Sequence, residues 1–185
     1  MAGYGSRPPS RERARADGGE SSPHRASGRR QGPVPGRPPS HNVLAVPNDL
    51  ITPESIKGFI EGSFPHQLGI EPVEVTDEHT IGRLVVDERH LHPGKLVHGG
   101  VWTALADTVA AWQTFRHLEP GADFTTLELH LNVFVAGRLG DEITARAEHV
   151  HRGRSTHMIR VEMHSSGKPD RAAAHFTLTQ FVLRS

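Results

Sequence analysis

Residues 99–115 read GGVWTALADTVAAWQTF, a stretch unlike anything around it. Val101, Ala104, Leu105, Thr108, Val109, Trp112 and Phe115 recur at helical spacing, and Ala106, Ala110 and Ala111 fill much of the rest. A helix that is apolar over most of its circumference has to be surrounded, because docking on one side would leave the other apolar side in water. Glu119-Pro120-Gly121 stops it.

Downstream the period switches from 3.6 to two. Leu127, Leu129, Leu131, Val133 and Val135 alternate with Thr126, Glu128, His130, Asn132 and Phe134, which predicts a long strand with one buried face. Gly140-Asp141 turns into a strand at 142–150, Arg152-Gly153-Arg154 into one at 155–164, and Gly167-Lys168-Pro169-Asp170 into one at 172–183. Four successive strands with short turns predict an antiparallel meander. Upstream, Ile70 to Val75 and Thr80 to Val86 flank the polar turn Thr76-Asp77-Glu78 and read as a hairpin. Before it, Thr52-Pro53-Glu54 supplies a hydroxyl cap, a proline at the first helical position and an acid facing the helix dipole. Ile56, Phe59 and Ile60 give that short helix an apolar face, and Gly62 and Pro65 end it. A sheet wrapped around a buried helix satisfies both periods, so the expected class is α+β.

The chain has 185 residues, with 21 basic and 21 acidic side chains, 14 histidines and no cysteine. Disulfide scaffolds, Cys-ligated metal sites and a Cys nucleophile are therefore excluded. The neutral total hides a split: residues 1–45 hold eight arginines against three acids, and 20 of the first 40 positions are Gly, Pro or Ser. Such a stretch has too little apolar surface to offset the entropy of ordering, so 1–45 is expected to be a disordered tail and 46–185 the folded domain. Its arginines are scattered without aromatics, which does not suit nucleic acid, and Pro and Gly break any amphipathic targeting helix. No window is apolar enough for a membrane span and the N-terminus lacks a secretory core, so a cytoplasmic protein with no membrane partner is expected.

The chemistry concentrates at His92-Pro93-Gly94-Lys95-Leu96-Val97-His98-Gly99-Gly100 and at Asp107. Two glycines at a helix start leave N–H groups unshielded, and the helix dipole favours an oxyanion there. Asp107 sits among Leu105, Ala106, Thr108 and Val109, where an unpaired charge is costly to bury. Read from these residues alone, Asp107 is either a functional carboxylate or a structural one that pairs with an arginine or accepts hydrogen bonds from a strand, and His98 is a hydrogen-bonding residue of the loop. His90-x-His92 and His149-x-His151 would each put two rings on one strand face, but no HExxH helix or carboxylate cluster accompanies them, so no metal and no cofactor is expected.

His98-Gly99-Gly100, Leu105-Ala106-Asp107 and Thr126-Leu127-Glu128-Leu129 with Asn132 resemble the hotdog-fold acyl-CoA thioesterases of the PaaI-like, phenylacetate-pathway type. The likeness runs from about Gly69 to the C-terminus. It implies hydrolysis of a small, medium-chain or aryl acyl-CoA: Gly99 N–H holds the oxyanion, Asp107 acts as general base or nucleophile, Thr126 orients water or carboxylate, and His98 braces the loop. Gly100, Trp112 and the helix at 52–61 would border the substrate. Arg152, Arg154 and Lys168 lie in turns where they either meet the CoA phosphates or are solvated hairpin charges. Gly99 and Asp107 on one helix are separated by roughly 12 Å, so one thioester needs Gly99 from one subunit and Asp107 from another. That requires a homo-oligomer, a dimer at least, with tetramers common in the family. Two positions depart from the family pattern: His92 stands where Asn is usual, and Lys95 where glycine is usual. His92 keeps two alternatives in play, a non-catalytic acyl-CoA-binding protein and a hydroxyacyl-thioester dehydratase with His92 as base.

Overall fold

Thr52 caps the first helix, α1 (Pro53–Ile60), through a reciprocal capping box with Ser55. This opens a computed structural model that describes residues 50–184; the tail expected at 1–45 lies outside the described residues. α1 buries Ile56 and Ile60, whereas Phe59, expected on the same face, is exposed. Pro65 does more than end α1: it occupies the first turn of a second short helix, α2 (Phe64–Gln67). The hairpin follows as β1 (Glu71–Val75) and β2 (His79–Val85), then the central helix α3 (Gly99–Phe115), β3 (Asp123–Val133), β4 (Glu142–Arg152), β5 (Thr156–Ser165) and β6 (Ala174–Leu183).

All six strands form one antiparallel sheet in the order β1-β2-β4-β5-β6-β3. The expected four-strand meander is thus shortened to β4-β5-β6. β3 does not pair with β4; it runs along the far edge against β6, and residues 134–141 carry the chain back to the free edge of β2. α3 causes this. Leaving β2, it crosses the inner face of the sheet, packing on β2, β4 and β5, and delivers the chain to the opposite edge. Leu105, Ala106, Val109 and Ala110 on α3 are fully buried against Ile143, Ala145, Ala147, Ile159, Val161 and Met163. Gly82 permits the close approach, since a Cβ there would lie 2.5 Å from Val109 and 3.1 Å from Trp112. The arrangement is α+β, a hotdog.

At the β3 edge the helix no longer covers the sheet. Leu127, Leu129 and Val133, expected on a buried face, are 60, 43 and 43% exposed. Only Leu131 and Val135 pack against the core.

Candidate active site

The loop that starts α3 is held from both sides. Leu91 and Val97 bridge across it, His92 N–H donates to the Leu96 carbonyl, and His98 N–H donates to the carbonyl of the fully buried His90. Between them Lys95 has φ +62°, the sole positive φ of a non-glycine among the described residues. That is the left-handed region glycine occupies without penalty, and a lysine there costs about 1 kcal/mol or more. His98 then caps the helix, its Nδ1 accepting from Gly100 N–H at 2.9 Å. Gly99 and Gly100 are exposed at the positive end of the helix dipole. A Cβ built on Gly99 would meet nothing within 4 Å, whereas one on Gly100 would come to 3.0 Å from His98 Nδ1.

Asp107 projects from the middle of α3 toward the uncovered edge. It is half-buried and makes no ion pair among the described residues; Thr126 Oγ1 donates to its Oδ1 at 3.2 Å. Burial pushes the carboxyl above its ordinary range, and the Thr126 hydroxyl opposes that shift. Strict alternation along 126–135 would put Thr126 on the face of Glu128 and His130, away from α3. A register shift between Thr126 and Glu128, with Leu127 as the extra residue, turns Thr126 inward. The bulge is therefore what brings hydroxyl and carboxylate together.

His92 and its neighbours do not lie on a strand face as the His-x-His pattern suggested. His90 sits in a 3-10 turn at Glu88–His90, where its Nδ1 accepts from Asp87 N–H and its Nε2 donates to the Leu68 carbonyl. His92 Nδ1 accepts from Gly94 N–H at 2.9 Å, which leaves Nε2 as the protonated nitrogen of the neutral ring. His149 and His151 are separated by a second register shift in β4. Among the described residues no group of three or more His, Asp and Glu side chains is arranged to hold a metal ion.

Sequence reasoning missed what gathers at the other end of α3. His117 and His149, and His149 and His157, stack edge to face with centroids 4.9 Å apart, and His149 Nε2 lies 3.2 Å from His157 Nδ1. His117 Nε2 donates to the Asp77 carbonyl at 2.8 Å, while the Arg152 guanidinium donates to His117 Nδ1. Burial, together with neighbouring rings and Arg152, pushes His149 down to about 3 and lowers His117 and His157 as well. Beside this stack a cavity of about 280 Å³ is lined by Arg152, Arg154, Arg184, His117 and His157. Lys168 does not join them: it follows Ser165 at the far end of β5, roughly 30 Å away. Trp112 is buried against Gly82 under β2, on a side of α3 that Asp107 does not face.

Residues 94–171 match the family model described as the thioesterase superfamily. A 1,4-dihydroxy-2-naphthoyl-CoA hydrolase of Listeria monocytogenes is 31% identical over 96 residues, 52% of this chain and 77% of that protein. The chain belongs to the thioesterase superfamily. A crystal structure of a Haemophilus influenzae thioesterase superposes on this superfamily member with a TM-score of 0.67 at 26% identity, covering 72% of this chain and 91% of the other. A variant of the phenylacetic acid degradation protein PaaI from Thermus thermophilus gives 0.57 at 29%, covering 66 and 98%. The protein is a PaaI-like hotdog thioesterase, a thioester hydrolase. The matched span takes in Gly99, Asp107, Thr126 and the β4–β5 turn, but stops short of His92 on one side and Gln180 on the other. No helix among the described residues is long and apolar enough to cross a membrane.

Proposed function

We propose that this thioesterase hydrolyses an acyl-CoA ester, with Asp107 attacking or activating water and the Gly99 N–H of a second copy holding the oxyanion. One observation carries the reading: a half-buried carboxylate in an apolar helix, with one hydroxyl donor and no cation beside it among the described residues. A structural acid in that position would be expected to pair, because leaving a charge half-desolvated is costly. Ionised and poorly solvated, Asp107 is a competent base or nucleophile. Thr126 fixes the carboxylate, or the water it activates. His98, as cap, keeps Gly99 and Gly100 N–H groups aimed out of the helix, where the dipole adds to oxyanion stabilisation. The acyl-CoA hydrolase activity named for the Listeria relative supports the substrate class.

The second copy follows from reach. Gly99 and Asp107 are eight residues apart on α3, roughly 12 Å, so they serve different thioesters in a single chain. The partner would lie along β3, whose outer edge is unpaired among the described residues and whose Leu127, Leu129 and Val133, with Phe134 just beyond it, are exposed on the strand that supplies Thr126 to Asp107. Arg152 and Arg154, next to the cavity at the β4–β5 turn, would take the nucleotide phosphates. Lys168 is too far from them to share that role, and Trp112 shapes the core beneath the site instead of touching substrate.

The dehydratase alternative is disfavoured by His92. Its Nδ1 is occupied by Gly94 N–H and no carboxylate among the described residues partners it, so the ring offers one N–H donor, as the usual asparagine amide would. Thiol release from acetyl-, hexanoyl- and benzoyl-CoA, with Asp107→Ala as control, tests the reading. Turnover that falls at least ~10²-fold in the variant supports it; an enoyl thioester product, binding without turnover, or indifference to Asp107 contradicts it.

A further inference from the structure

Gln180 sits on β6 in the inward series Ala174, Phe176, Leu178, Gln180, Val182 and is fully buried. The Thr114 hydroxyl on α3 donates to its Oε1. Its Nε2 finds no acceptor among the described residues. A buried donor without a partner is rare and costly, and it has to be explained by what it serves. Holding Oε1 fixes the direction of the amide, so Nε2 is aimed away from Thr114.

Two residues flank Gln180 in the sheet. It is the register partner of His157 on β5 and of Thr126 on β3. Directly opposed residues of an antiparallel pair share a face, with Cβ atoms about 5 Å apart. The His157 ring is engaged with His149. Thr126 Oγ1 spends its proton on Asp107 and keeps lone pairs free to accept.

We infer that Gln180 is a positioning residue of the reaction: its amide N–H reaches Thr126 Oγ1 through one water and so holds the Thr126 proton on Asp107. The inference rests on the reading of Asp107 as the reacting carboxylate. A hydroxyl has one proton, and when its oxygen accepts from the water held by Gln180 that proton is turned toward the carboxylate. Donation to the ionised form favours ionisation, which burial opposes at Asp107. The groups facing Gln180 are Thr114 from α3, Thr126 from β3 and His157 from β5; His157 is itself held toward its neutral form by burial and by Arg152. The acid limb of the rate profile therefore reports the chain Thr114–Gln180–Thr126–Asp107.

The test is kcat/KM against pH for thiol release by the full chain, on whichever of acetyl-, hexanoyl- and benzoyl-CoA is cleaved fastest. Gln180→Met, close in volume, is expected to move the acid limb up by about one pH unit with little change in KM. Thr126→Val should move it the same way, and the double variant no further than Thr126→Val alone. Thr114→Val, which frees the amide to turn, should give a smaller shift of the same sign, and replaces Gln180→Met in the cycle if that variant does not fold. An unmoved acid limb, or a Gln180 shift that adds in full to the Thr126 shift, overturns the inference. Turnover that survives Asp107→Ala overturns instead the reading of Asp107 beneath it.

Discussion

The two ends of α3 treat their polar groups in opposite ways. At the C-terminal end, Gln113 accepts from Thr80 and donates to the Asp77 carbonyl, Arg116 pairs with Asp77, and three histidines close over one another beneath Arg152. Nearly every polar group there has found a partner within its own chain. Along the front half, Gly99 and Gly100 are exposed, Asp107 has one hydroxyl, and Leu127, Leu129 and Val133 of β3 are left uncovered. A fold able to satisfy a polar network so fully at one end has no need to leave the other unfinished. On the proposed reading, that deficit is where substrate and a second copy of the chain would bind.

The largest effect that could break this comparison is at Asp107. Asp107→Asn should lower turnover at least ~10²-fold while raising Tm at pH 7. The sign follows from burial: the folded pKa lies above the unfolded one, so ionised Asp107 opposes folding above its folded pKa, and this disappears once both states are protonated. The gain in Tm should thus shrink in acid, as thermal melts at several pH values would reveal; a variant less stable than wild type at pH 7 contradicts the account. Next, Arg152→Gln with Arg154→Gln should raise KM for the ester about tenfold with kcat held, since a phosphate contact remote from the carbonyl contributes equally to ground and transition states. A fall in kcat alone would move those arginines out of the nucleotide site.

The satisfied end predicts a pH effect of the other sign. His117, His149 and His157 are lowered in the folded state, His149 to about 3, so the unfolded chain binds protons first as pH drops below about 6.5. Stability contributed by the neutral stack is present above that value and lost progressively toward the folded pKa values. His149→Leu should flatten the decline in Tm between pH 6.5 and 4, and an unchanged slope contradicts it. Smallest is Thr52→Ala, which removes the α1 cap and should cost about 1 kcal/mol in urea unfolding without changing turnover.

How far this contrast was legible in the sequence depends on the residue. α3 and the first hairpin could be read because 3.6 and 2 are distinct periods, and residues 99–115 coincide with the helix. Strand order could not be read, since alternation tells which face a residue takes but not which strand lies beside it. Thr126 was singled out by its likeness to a known family, yet its alternation put it on the wrong face, because one bulged residue at Leu127 reverses the phase. Gln180 and His157 left a usable signal: Gln180 interrupts an otherwise apolar inward series on β6, and His157 opens the inward series Ile159, Val161, Met163 on β5. The histidine stack did not, because His117, His149 and His157 meet only after β4, β5 and the end of α3 are packed together.

The central claim is that one site takes Gly99 from one copy and Asp107 from another, and subunit complementation tests it most directly. Asp107→Ala and Gly99→Val chains, each inactive alone, would be mixed in equal amounts, unfolded and refolded together, and assayed for thiol release. Gly99→Val is suited to this because a Cβ at Gly99 meets nothing within 4 Å in its own chain. Random pairing through a two-fold interface puts one intact site in half of the dimers, so about a quarter of wild-type activity should return. Two inactive parents whose mixed dimers form and remain inactive would contradict a site shared between copies.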